Sequence, residues 1–71
     1  AEMATIKLRD DHIRLCQALK AAGVAGSGTD AKFMIKDGLV KVNGETEYQR
    51  GKKLYDGDTV LCNGETIEIV K

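Results

Sequence analysis

The 71-residue sequence has no proline or tryptophan, one histidine, two cysteines and three aromatic side chains, Phe33, Tyr48 and Tyr55. Without proline, and without a linker or low-complexity stretch, nothing divides the chain, so residues 1–71 read as one small domain. With so few aromatics the core has to come from Ile, Leu, Val, Met and Ala. Domains of this size bury only about 60% of their unfolded surface, so that core is thin but workable. No apolar run approaches the roughly 20 residues needed to cross a bilayer, and no charged-then-apolar leader opens the chain. A cytoplasmic location is expected. Cys16 and Cys62 lie far apart with no cysteine at metal-binding spacing. Their spacing leaves a disulfide open, but two buried, reduced thiols are the expected state, because free cysteine packs as a small hydrophobe.

Signals for catalysis are equally sparse. His12 is the lone histidine and sits at a predicted helix start, where a surface or capping role is ordinary. Asp56 and Asp58 resemble a carboxylate pair, but Asp-Gly-Asp is also common turn chemistry. There is no phosphate-binding Walker loop, dinucleotide fingerprint or cluster of metal ligands. The expectation is a non-enzymatic protein with no cofactor, metal or small-molecule substrate.

Net charge is also missing, with 11 basic against 11 acidic residues, but the distribution is uneven. From Arg14 to Lys53 the balance is +4, whereas the two flanks together carry −4. Such a layout can turn one face toward phosphate and the other away from it.

Hydrophobic periodicity orders the chain. Thr5 to Leu8 alternate as a first strand, and Asp10 or Asp11 is placed to cap a helix running from residue 11 or 12 to residue 22, with Leu15, Cys16 and Leu19 on its apolar side. Gly23 supplies its stop. Ser27-x-x-Asp30 resembles a capping box for a second helix over residues 28–37, ending at Gly38. Helical spacing gives that helix an apolar face of Ala31, Met34 and Ile35, and an opposite face of Thr29, Lys32, Phe33 and Lys36. The period then changes to two. Leu39 to Tyr48 and Thr59 to Val70 each read as a hairpin around Asn-Gly, at Asn43-Gly44 and Asn63-Gly64. Gln49 to Lys53 forms an exposed basic loop between them. The fold class is therefore α+β: two N-terminal helices on a small, mostly antiparallel sheet of four to five strands.

Several of these residues suit an anion. Free N–H groups near Gly28 and Thr29, the hydroxyls of Ser27 and Thr29, and Lys32 one turn further in are suited to a phosphate. Phe33 between Lys32 and Lys36 can stack on a base, although such a residue more often packs on a neighbouring element. Arg50, Lys52 and Lys53 crowd positive charge around Gly51. As one surface, the helix and loop suit the phosphates of structured RNA.

From about Ile13 to Val70 the chain resembles the S-four RNA-binding domain, named after small-subunit ribosomal protein four, and in particular its small stand-alone bacterial members. The resemblance rests on Leu19-Lys-Ala-Ala-Gly, Ser27-Gly-Thr-Asp-Ala31-Lys, Ile35 followed by Gly38, Val40-Lys-Val-Asn-Gly44, Arg50-Gly-Lys-Lys-Leu54 and Gly57-Asp58. It implies an αL motif in which the helix pair and the adjacent hairpin grip structured RNA, ribosomal or transfer RNA in class. This adds Lys41 and Asn43 of the hairpin to the expected contacts. Two departures lower the positive charge. Gly28 stands where many members carry arginine after the serine, and Gln49-Arg50 stands where stand-alone members often carry two arginines.

Two other classes compete. One is a protein–protein adaptor on the ribosome or its assembly intermediates. The other is a β-grasp module of the sulfur-carrier or threonyl-synthetase-like type, whose last strands resemble Val40 to Glu45 and Leu54 to Val60. Sulfur carriers need a flexible C-terminal Gly-Gly, and Ile69-Val70-Lys71 falls inside a predicted strand instead.

Overall fold

The computed structural model describes residues 3–71. Its elements are β1 (Met3–Lys7), β2 (Ile13–Arg14), α1 (Leu15–Ala21), α2 (Gly28–Lys36), β3 (Val40–Val42), β4 (Glu45–Thr46), β5 (Lys53–Leu54), β6 (Thr59–Cys62) and β7 (Glu65–Val70). Five strands form one sheet in the order β1-β7-β6-β3-β4, and β2 and β5 form a separate ribbon. Among the described strand pairs only β1–β7 is parallel. The α+β class and the mostly antiparallel sheet are thus as the sequence predicts.

Alternation along the strands decides which face the helices cover. Val40, Val42, Val60, Cys62, Ile67 and Ile69 are buried on the inner face, whereas Lys41, Leu61 and Glu68 point the other way and are exposed. Leu15 and Leu19 of α1 and Ala31 and Ile35 of α2 complete the inner layer, as helical spacing predicts. Met34 is only half-buried. Ala18 and Leu54 are fully enclosed members of the core that the pattern does not single out. No aromatic side chain belongs to the buried set.

The largest difference from expectation is the start of α1. Ile13 and Arg14 are extended and pair with Leu54 and Lys53, so the helix begins at Leu15. The N–H groups of Leu15 and Cys16 donate to the carbonyls of Lys52 and Arg50, at 2.9 and 3.1 Å. Loop carbonyls thus meet two of the unpaired donors of the first helical turn, a task expected of Asp10 or Asp11. At the other end Gly23 is left-handed, with φ 78°. The N–H groups of Val24 and Ala25 both reach the Leu19 carbonyl at 3.1 Å, which turns the chain toward α2.

α2 begins as predicted. Ser27 is extended and its Oγ accepts from the Asp30 N–H at 3.2 Å. Both Asn-Gly turns form, with Asn43 and Asn63 each at φ 53° followed by a left-handed glycine. β1 starts at Met3, two residues before the predicted strand. β4 is shorter than predicted because Glu47 Oε2 accepts from the N–H groups of Tyr48 and Gln49, at 3.1 and 3.4 Å, curling the chain out of the hairpin. Both thiols are free. Cys62 is buried and Cys16 only half-buried. Burial, helped by the nearby Glu65 charge, pushes the Cys62 thiol above its ordinary pKa.

Candidate nucleic-acid interface

Because Ala31 and Ile35 hold α2 to the core, Thr29, Lys32, Phe33 and Lys36 are left on its exposed side. The loop after β4 comes to the same side, held by the backbone bonds from Leu15 and Cys16 and by the Lys52 N–H donating to the Gln49 carbonyl at 3.1 Å. Two grooves result. The first, about 590 Å³, is lined by Arg14, Cys16, Gly28, Thr29, Lys32, Phe33 and Arg50. The second, about 500 Å³, is lined by Lys32, Ile35, Lys36, Tyr48, Gln49, Arg50 and Gly51. Lys32 and Arg50 belong to both and form the ridge between them. Among the described residues, ion pairs join Lys52 to Glu47 and Lys71 to Asp11, so neither groove's cations are neutralised by a carboxylate.

Not every predicted contact lies there. Lys52 and Lys53 line a separate depression that also contains Glu45, Glu47 and Asp58. The 4.0 Å approach of Lys52 to Glu47 is a weak exposed pair. Lys53 does not line the first groove, but it sits opposite Arg14, which does, in the β2–β5 ribbon. Ile13 and Leu54 take the inward side, so the two cations share the outward one. Like charges placed opposite one another across strands are destabilising unless an anion relieves them. Lys41 projects from the outer face of the sheet, away from the helices. Ser27 stands exposed at the start of α2 with its oxygen engaged in the cap, and Asp30 already places a negative charge in that first turn.

Asn43 is occupied structurally. Its Nδ2 donates to Asp58 Oδ1 at 3.1 Å, and its Oδ1 accepts from the Thr59 N–H at 3.0 Å. The Asp56 and Asp58 carboxylates are engaged by backbone: Asp58 Oδ2 closes a turn by accepting from the Tyr55 N–H at 2.7 Å, and Asp56 Oδ1 accepts from the Lys71 N–H beyond β7 at 2.9 Å. His12 precedes β2, with its ring 5.9 Å from that of Tyr55. Among the described residues no group of three or more His, Cys, Asp or Glu side chains is placed to hold a metal, and no helix is long and apolar enough to cross a membrane.

Six groove residues lie outside the predicted contacts, namely Arg14, Cys16, Ile35, Tyr48, Gln49 and Gly51. Arg14 belongs to the basic central segment, and that was its only visible signal. Its place in the groove depends on the β2–β5 ribbon, which two-residue strands do not announce.

Comparison with known proteins identifies the family and the fold. The family model of the S4 domain matches residues 6–70. YbcJ of Escherichia coli (strain K12) is 39% identical over 69 residues, which span 96% of this chain and 99% of YbcJ. The "Probable ribosome maturation protein RlbA" of Bacillus subtilis (strain 168) is 42% identical over 59 residues, 83% of each chain. The solution structure of E. coli YbcJ, described as revealing an αL motif involved in RNA binding, superposes with a TM-score of 0.76 at 38% identity, covering 100% of this chain and 91% of that one. The 30S ribosomal protein S4e of Thermoplasma acidophilum shares the fold, with a TM-score of 0.68 at 24% identity over 82% of this chain and 31% of that one. With the motif series, the αL architecture and a match over nearly its whole length, the chain belongs to the S4 domain family.

Proposed function

We propose that this protein binds structured RNA of the ribosomal or transfer RNA class in the cytoplasm, without catalysis, through phosphate contacts from α2 and the loop after β4. The observation that carries the reading is the ridge of Lys32 and Arg50 shared by two adjoining grooves, with Arg14 and Lys36 beside it and, among the described residues, no carboxylate paired to any of them. The αL motif of YbcJ and the ribosome maturation role named for the B. subtilis relative support the same class of partner.

Phosphate contacts release counterions, so affinity falls with salt at a logarithmic slope of roughly 0.7–0.9 per phosphate neutralised. Lys32, Lys36 and Arg50 are exposed, and replacing all three by alanine leaves the melting temperature nearly unchanged while lowering both affinity and slope. Lys7, Arg9 and Lys71, replaced together, remove the same formal charge outside the grooves and are the control. Anisotropy titrations of folded ribosomal and transfer RNA across a salt series make the comparison. Equal losses in the two triple variants reduce the binding to diffuse electrostatics, and no binding by the parent at low salt replaces this reading with a protein–protein adaptor.

Gly28 gives a test in the opposite direction. A Cβ built there meets nothing within 4 Å, so a long side chain has room at the mouth of the first groove. Gly28→Arg is expected to raise RNA affinity and steepen the salt slope by roughly one contact's worth, about 0.7–0.9. An unchanged slope in the same titration removes the start of α2 from the phosphate path.

A further inference from the structure

Each groove carries, besides its cations, one aromatic side chain left in water. Phe33 in the first is 56% exposed and Tyr48 in the second is 65% exposed. Neither belongs to the ring pair formed by His12 and Tyr55. Tyr48 does not dangle: a Cβ at Gly38 would lie 3.4 Å from its hydroxyl oxygen and 3.6 Å from its ring, so one edge rests against the Gly38 backbone while most of the ring remains open. Phe33 is fixed by the helix that carries Lys32. The order across the surface is therefore aromatic, shared cation ridge, aromatic.

A fully paired RNA stem makes little use of that order. Its bases are stacked on each other inside an A-form helix, and it offers a protein phosphates and 2′-hydroxyls, which the cations alone can meet. Unpaired nucleotides offer base faces, and aromatic side chains beside a basic track are what holds them. Resting on the RNA-binding reading above, we infer that the partner presents unpaired nucleotides here, with bases stacked on Phe33 and Tyr48 on either side of a backbone held by Lys32 and Arg50.

The test uses two RNA hairpins with the same stem sequence, one fully paired and one interrupted by a two-nucleotide bulge, titrated against the intact protein at one salt concentration. The bulged hairpin binds at least about fivefold more tightly, the lower end of what stacking one base contributes. Phe33→Ala with Tyr48→Ala abolishes that preference while leaving affinity for the paired stem and its salt slope in place. Phe33→Leu with Tyr48→Leu keeps apolar bulk and removes the ring, and it also loses the preference. Phe33→Tyr with Tyr48→Phe keeps it. The leucine pair also carries the test if the alanine pair fails to fold, as judged by circular dichroism. Equal binding of both hairpins by the parent protein, or a bulge preference that survives in the leucine pair, overturns the stacking inference and leaves the phosphate reading intact. Failure to bind either hairpin overturns the stacking inference as well, while the titrations of ribosomal and transfer RNA decide the phosphate reading separately.

Discussion

Leu19→Ala is expected to lower the stability of this domain by about 2–5 kcal/mol, the range for emptying a fully buried leucine site. A domain of this length has roughly 4–11 kcal/mol in total, so the loss takes a large share of it. Leu19 has no solvent exposure and sits where α1 meets the inner layer of Ala31, Ile35 and the β-strand valines. The buried set consists of small aliphatic side chains and one cysteine, with no large ring to shift into the space. The substitution keeps alanine's helix propensity and the Leu19 carbonyl that receives the N–H groups of Val24 and Ala25, so it reports the side chain alone. Urea unfolding followed by circular dichroism measures it. Leu61→Ala on the opposite face of the sheet, where the side chain is 42% exposed, is the comparison and should change stability by no more than about 0.5 kcal/mol. A loss at Leu19 as small as that at Leu61 would mean that α1 does not present the face described.

The parts of this fold visible in the sequence are those where one local rule acts alone. Period-two alternation and two Asn-Gly pairs locate both hairpins, because positive φ at asparagine and glycine is set within the turn itself. Ser27 and the spacing of Ala31 and Ile35 place α2 for the same reason. The start of α1 was not legible because a partner distant in sequence decides it. Periodicity carries a helix back toward His12, but pairing of Ile13 and Arg14 with Leu54 and Lys53 holds those residues extended, and carbonyls of the loop take the place of a side-chain cap.

The candidate site divides along the same line. Lys32, Lys36, Thr29 and Phe33 could be grouped from helical spacing, and Arg50 joined them through the family resemblance. The same resemblance is what folds Lys52 and Lys53, with Arg50, toward that side. The turn at Gly51 and the extended β5 instead send those two toward Glu47 and Asp58, while Arg14 and Tyr48 enter the grooves from elements whose course no local signal specifies.

Asn43 separates a structural role from a binding one, and replacing it by alanine is expected to cost about 2–5 kcal/mol. Two contributions add. An alanine at φ 53° occupies a left-handed conformation disfavoured by about 1–2 kcal/mol. The side chain's bonds to Asp58 and to the Thr59 N–H, which tie the first hairpin turn to the start of β6, contribute about 0.5–1.5 kcal/mol each. Asn63 provides an internal control, since it has the same φ of 53° in the same Asn-Gly-Glu-Thr context and makes neither of these cross-links. Asn63→Ala should therefore show the conformational cost alone, leaving a difference of about 1–3 kcal/mol between the two variants in thermal or urea unfolding. Equal losses would show that the Asn43 bonds contribute nothing and would release its amide for RNA. With the expected difference, an affinity drop in Asn43→Ala reflects a displaced turn, and residues further along the surface, Lys32 and Arg50 foremost, remain the proposed phosphate contacts.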